Sequence, residues 1–214
     1  MKENMKYSST RFIMMLAGIF MIGMCVASYR VSGFGVDAFS CMNLGVSGFL
    51  GMTFGTWQLI VNAVLLVIVW FTVRSCIRLG TIVNMVCVGY TADFLCWLLL
   101  DQVGLTVTMP FRVFFLLVGT LFASMGCACY MVAEMGIAPY DSVAFIITKY
   151  AGERISFRAA RVMSDLAAVV VGVGFCLMAG NRLWEIVGLG TIVNACVNGP
   201  LIQYFRGKFE RFIK

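Results

Sequence analysis

Residues 12–29 contain no Asp, Glu, Lys or Arg, and neither do residues 46–73, 79–92, 113–133, 166–181 and 186–205. Several of these runs exceed the ~18 apolar residues that mark a membrane-spanning helix. The shorter ones extend across a single carboxylate, Asp93 or Asp165. A helix on a soluble core would show a polar face at 3.6-residue spacing, and these runs show none. Charged residues make up 12% of the chain, against about 25% in a soluble domain, and the mean hydropathy is +0.95. The pattern excludes a globular soluble protein. It predicts an all-α membrane protein with six transmembrane helices, at about 11–31, 52–73, 79–100, 111–133, 157–179 and 185–205.

The chain also repeats itself. Leu-Gly-Thr-Ile-Val-Asn stands at residues 79–84 and again at 189–194. An offset of 101 lays residues 11–35 on 112–136 without a gap, with Arg11/Arg112, Gly18/Gly119, Tyr29/Tyr130 and Gly35/Gly136 identical. An offset of 103 puts Phe54 on Phe157, Gln58 on Arg161 and Asn62 on Asp165, and one of 110 puts Gly89 on Gly199. A unit of roughly 100 residues has been duplicated. Residues 11–105 form the first membrane repeat and 106–205 the second, between cytoplasmic tails at 1–10 and 206–214.

Charge placement predicts the orientation. With the N-terminus inside, 13 of the Lys and Arg residues fall in cytoplasmic segments and 3 (Arg30, Arg112 and Arg182) fall outside. That is the bias of the positive-inside rule. Both termini are then cytoplasmic. The basic N-terminus before an apolar run could suggest a signal peptide, but its match to 112–136 identifies it as a retained first helix. Three crossings per unit insert the second unit upside down, giving two inverted three-helix repeats. In secondary transporters such repeats place the substrate site at their interface near the midplane.

Each repeat holds a short apolar segment after its first helix, residues 35–51 and 136–152. Each begins at a glycine and carries an early carboxylate, Asp37 or Asp141, suited to the positive end of a helix. Pro139 fits a first turn. About 10–12 helical residues cannot cross a bilayer, so each short helix is expected to be interfacial or re-entrant.

Polar residues placed in hydrocarbon are the candidate substrate- or ion-binding groups. Asn62 and Asp165 lie near mid-depth in the second and fifth spans, with Gln58 and Arg161 one turn away. Asn84, Thr81 and Asp93 lie in the third span, and Asn194 and Thr191 in the sixth. Ionisable groups inside a membrane are costly and face cavities or partners. Asp165 is expected to face the interior within reach of Asn62 or a polar residue of the third and sixth spans, beside a mid-depth cavity, or to pair with Arg161 without one. The Asn and Thr residues also suit interhelical packing beside glycine.

The sequence Gly-Val-Asp-Ala-Phe at 35–39, Phe54-Gly55-Thr56-Trp57-Gln58 with Asn62, Gly80-Thr81-Ile82-Val83-Asn84-Met85, and Gly89-Tyr90 followed by Asp93-Phe94 resembles the bacterial YczE/YyaS/YitT group of integral membrane proteins. Gly136-Ile137-Ala138-Pro139-Tyr140-Asp141 and Gly190-Thr191-Ile192 resemble its second-half motifs. The resemblance implies a multi-pass bacterial plasma-membrane protein and no particular reaction.

The remaining chemistry is sparse. The chain has no histidine, the commonest metal ligand and general base. It also lacks a Walker motif and a dinucleotide-binding glycine loop. Its nine cysteines form no Cys-x-x-Cys pair and suit helix packing. No enzyme, cofactor, metal or nucleic-acid role is expected. The partners expected are the lipid bilayer and a small solute or ion, with a homodimer left open. A small-solute or ion transporter is the principal expectation. A small-molecule-capturing subunit of a larger complex and a non-transporting membrane scaffold are the alternatives.

Overall fold

The computed structural model describes residues 9–151 and 155–213. Lys2, Lys6, Arg154 and Lys214, which entered the charge count, lie outside them. The described residues contain helices and no strand: α1 (Ser9–Ser32), α2 (Ala38–Leu50), α3 (Phe54–Thr72), α4 (Leu79–Trp97), α5 (Met109–Ala133), α6 (Pro139–Ala151), α7 (Phe157–Met178), α8 (Leu183–Ile186) and α9 (Leu189–Ile213). A 3₁₀ turn at Arg74–Cys76 precedes α4, and a π-helical turn at Leu98–Gln102 extends it. Six helices are long and apolar enough to cross a membrane. Hydrocarbon offers backbone groups no partner, so spanning segments close their hydrogen bonds internally as helices. Thr53 and Ser156 begin α3 and α7 by accepting the amides of Thr56 and Ala159. Residues 206–213, expected as a tail, continue α9 as helix.

The duplicated hexapeptide is explained by backbone contacts that run crosswise. The Gly80 amide donates to the Met135 carbonyl at 2.8 Å, and the Gly190 amide donates to Phe34 at 2.7 Å. The Ile137 amide donates to Cys76 at 3.1 Å, and the Val36 amide to Ile186 at 3.2 Å. The residues of each pair are counterparts under the offsets of 101 and 110. The start of α4 is therefore stitched to the turn after α5, and the start of α9 to the turn after α1. A Cβ on Gly80 would stand 2.7 Å from the Met135 carbonyl oxygen, and one on Gly190 would stand 2.5 Å from that of Gly35. Only glycine lets the chains approach so closely.

These turns break the helices sharply. Gly35 has φ +93° and Gly136 has φ +124°, values that side chains disfavour. Arginine closes the corners crosswise as well. Arg112 donates to the Ser32 and Gly33 carbonyls at the end of α1, while Arg11 pairs with Glu134 at the end of α5 at 2.7 Å. Arg11, Arg74, Arg78 and Lys149 thus gather at one end of the bundle. Arg30, Arg112 and Arg182 gather at the other.

Helix α7 serves as a ruler for the two short helices. Along it, α6 runs back toward the N-terminal end: Asp141 meets Arg161, and the Phe145 ring lies 4.7 Å from that of Phe157. Helix α2 runs the other way. Gly45 packs on the backbone of Gly172, Phe49 on Phe175 at 5.3 Å, and Gly48 beside Asn181. Their first turns touch, with the Phe39 and Tyr140 rings stacked at 4.3 Å. The short helices therefore lie end to end, beginning together near Asp165 and diverging toward opposite ends of the bundle. Helix α2 is packed into the bundle along most of its length. Before its last turn none of its residues is exposed, because Gly45 and Gly172 let its backbone close on that of α7.

Candidate functional site

The junction of the short helices carries the densest chemistry in the described bundle. Arg161, on the second turn of α7, pairs with Asp141 of α6 and approaches Asp165 one turn further on at 3.3 Å. The Tyr140 hydroxyl donates to the other Asp165 oxygen at 2.7 Å. Arg161 also lies 5.1 Å from the centroid of the Tyr140 ring, within cation–π range. Two carboxylates share one guanidinium, so the cluster is net negative. The side chains of Arg161, Asp165 and Asp141 are 37%, 36% and 45% exposed, a degree of access that apolar surroundings would make costly.

Asp37 completes the junction from α2. Its carboxylate accepts the Ser40 amide at 3.0 Å and caps the helix. Burial pushes the Asp37 carboxyl up from its ordinary 3.8, and the charge of Asp165 adds to the shift, partly offset by the Ser40 hydrogen bonds. A raised carboxyl binds its proton more tightly in the folded chain than in the unfolded one. Its contribution to stability is then full below the ordinary value and is lost as pH rises through the raised one. Asparagine caps as well as aspartate and carries no charge. Asp37→Asn is expected to flatten the fall in thermal midpoint as pH rises above the ordinary carboxyl range and to raise the midpoint at the upper end. Parallel melting curves in detergent check this; identical slopes for both chains would contradict it.

The other sequence candidates are distributed differently from expectation. Asn62 is buried in α3 at 2% exposure, but Asp165 is held by Tyr140 and Arg161 instead. The physical reason is that the short helices fill the space between α3 and α7: α2 packs on both, and so does α6. Gln58 is 4% exposed, its side-chain oxygen lies against Gly89, and that oxygen has no hydrogen-bond partner among the described residues. Asp93 has both oxygens committed, to Arg30 at 2.7 Å and to the Gly55 amide at 2.6 Å, so it clamps the start of α3 to α1 and α4. Thr81 accepts the Arg78 amide and donates to the Cys76 carbonyl. Thr191 accepts the Gly188 amide and donates to Val36. Both threonines secure the crosswise stitches. Asn84 is buried in α4. Asn194 accepts from Asn198, whose oxygen lies 3.0 Å from the Ser124 hydroxyl.

Tyr140, Phe39, Asn198 and Ser124 were missed by the sequence reading. Tyr140 and Phe39 had a usable signal, since they are counterparts at offset 101 in the two short-helix motifs. Asn198 and Ser124 had none, because their counterparts are Val88 and Gly23.

Concavities of about 520 and 340 Å³ open at opposite ends of the bundle, one beside Phe145 and Phe157 and the other beside Arg112 and Trp184. Neither is lined by Asp165, so the mid-depth cavity expected beside it coincides with neither. Among the described residues the carboxylates do not converge into a metal-holding group.

Six apolar helices of spanning length, whose outward faces expose residues such as Phe71, Leu166 and Val170, define a multi-pass membrane protein. The chain belongs to the family described as "Family of unknown function (DUF6198)", whose model matches residues 9–207. It is 25% identical to the uncharacterized membrane protein YczE of Bacillus subtilis over 91% of this chain and 84% of that one. It is 23% identical to the uncharacterized protein YyaS of the same organism, over 91% of each. An uncharacterized Haemophilus influenzae protein is 25% identical over 82% of this chain and 73% of its own length. No solved structure matches.

Proposed function

We propose that this chain is a small-solute or ion transporter of the bacterial plasma membrane, with both termini cytoplasmic, built as two inverted repeats about an axis in the membrane plane. The observation that carries the reading is the meeting of α2 and α6 beside Arg161 and Asp165. Interrupted helices and charged groups at membrane depth are tolerated where they line a path or a cavity. The crosswise stitches between counterpart residues support the inverted relation, and transporters with such repeats bind at the repeat interface. The gathering of Arg11, Arg74, Arg78 and Lys149 at one end supports its assignment to the cytoplasm.

Charge narrows the cargo. Asp141 and Asp165 outweigh Arg161, and Asp37 stands nearby, so the site favours a cation or a proton over an anion. The chain acts as a carrier rather than an enzyme. Purified protein in liposomes is expected to move protons, alkali cations or small organic cations faster than protein-free liposomes under an imposed gradient. Folded protein that moved none of the three would overturn the reading.

A further inference from the structure

Counterpart helices do not pack alike. Helices α3 and α4 pack together: a Cβ on Gly55 would stand 2.9 Å from the Gly89 backbone, and one on Gly89 would stand 2.8 Å from the Gly55 Cα. Their counterparts α7 and α9 are not a packed pair among the described residues, and a Cβ on Gly199, the counterpart of Gly89, would meet nothing within 4 Å. The same asymmetry holds for the polar residues. Gln58 and Asn62 are 4% and 2% exposed, while the side chains of their counterparts Arg161 and Asp165 are 37% and 36% exposed.

A clamp accompanies the closed side. Asp93 ties Arg30 to the Gly55 amide, and Arg30 lies 5.0 Å from the centroid of the Phe54 ring. The counterparts of Arg30 and Asp93 are Met131 and Gln203, both exposed and neither charged. One end of the bundle therefore has an ion-paired latch, and the other has the same positions without it.

We infer that the cleft between α7 and α9 is an open gate to the cluster of Asp141, Arg161 and Asp165, that the α3–α4 contact clamped by Arg30 and Asp93 is the shut gate at the opposite end, and that the two exchange during the working cycle. The inference rests on the transport reading for its purpose and on the packing asymmetry for its evidence. The charged side chains of Asp141, Arg161 and Asp165 are more than a third exposed, which calls for water rather than lipid at that face. Two arrangements of one duplicated unit, each shut on a different side, meet the need for a site reached from one side at a time. The latch biases the pair toward the arrangement described, because the bond from the Gly55 amide to Asp93, which crosses from α3 to α4, is present in one state and absent from the other and so shifts the populations.

The test measures distances by pulsed spin-label spectroscopy in a background with the native cysteines replaced. One label pair sits at Ile60 and Phe94, and its counterpart at Met163 and Tyr204; all four positions are exposed. Asp93→Gln reproduces the second repeat's residue. It is expected to lengthen the first distance and shorten the second by on the order of 5 Å in a new population. The ratio of the two populations should change roughly fivefold or more. Met131→Arg with Gln203→Asp installs the latch on the open side at exposed positions, so it keeps the test alive should Asp93→Gln fail to fold. It is expected to populate the same second state. Distances unchanged in the folded variants would overturn the gate, whatever the flux assay reads. Exchanging distances without flux of any solute would sustain the gate and overturn only the transport reading.

Discussion

Gly45→Val is expected to abolish the folded protein. A Cβ at Gly45 would stand 2.1 Å from the Gly172 carbonyl oxygen, and one at Gly172 would stand 2.5 Å from that of Cys41. Both obstacles are backbone, so no side-chain rotation relieves them. Helix α2 would have to lift off α7, carrying with it the Asp37 cap, the Phe39–Tyr140 stack and the Phe49–Phe175 contact. Membrane helices gain little from apolar burial against one another and depend on close backbone approach through small residues. Overpacking a tight contact costs about 1–3 kcal/mol where neighbours can shift, and more where they cannot. Monodisperse protein recovered in detergent should fall at least tenfold, with a lowered melting midpoint in what remains. Gly174→Val, a position whose added Cβ meets nothing within 4 Å, is the matched control and should leave both unchanged. Equal recovery of the two variants would mean that the Gly45–Gly172 approach is not what holds α2 in the bundle.

The parts of this fold legible in the sequence were those written in a one-dimensional signal. Uncharged runs placed the spans: α5 begins at Met109 and ends at Ala133, against an expected 111–133. Glycines placed the breaks, because the positive φ values at Gly35 and Gly136 demand that residue. The duplicated hexapeptide was visible as a repeat, but its purpose was not, since a crosswise stitch joins residues such as Gly190 and Phe34 that are far apart in the chain. Site reading had the same limit. Depth in a span follows from counting residues, so Asp165 stood out as a carboxylate inside a span. Which neighbour fills the space beside it depends on how α2 and α6 dock, and that placed Tyr140 where Asn62 was expected. The clamp role of Asp93 was hidden for a related reason. A carboxylate inside a span signals a site, yet here it satisfies the free amide at the start of α3 and a guanidinium from α1.

Asp165→Asn should separate the two roles open to that residue, anchor and carrier. The amide is nearly the same size and can still accept the Tyr140 hydroxyl, so the junction of α2 and α6 should hold and the melting midpoint should change little. The side chains of Arg161 and Asp165 are both more than a third exposed, so solvent screening leaves their pairing a small contribution to stability, about 0–1 kcal/mol. Transport answers to something else. Without the second carboxylate the cluster of Arg161 and Asp141 is neutral, and on the proposed transport reading its attraction for a cation is lost. Uptake into liposomes is expected to fall at least tenfold, equivalent to ~1.4 kcal/mol of lost interaction with the cargo. Tyr140→Phe provides the contrast. It removes a donor to Asp165 and leaves the charge, so uptake should persist. Folded Asp165→Asn protein with full uptake would reduce Asp165 to an anchor for α6. The carrier role would then pass to Asp37, the remaining carboxylate at the junction without an arginine.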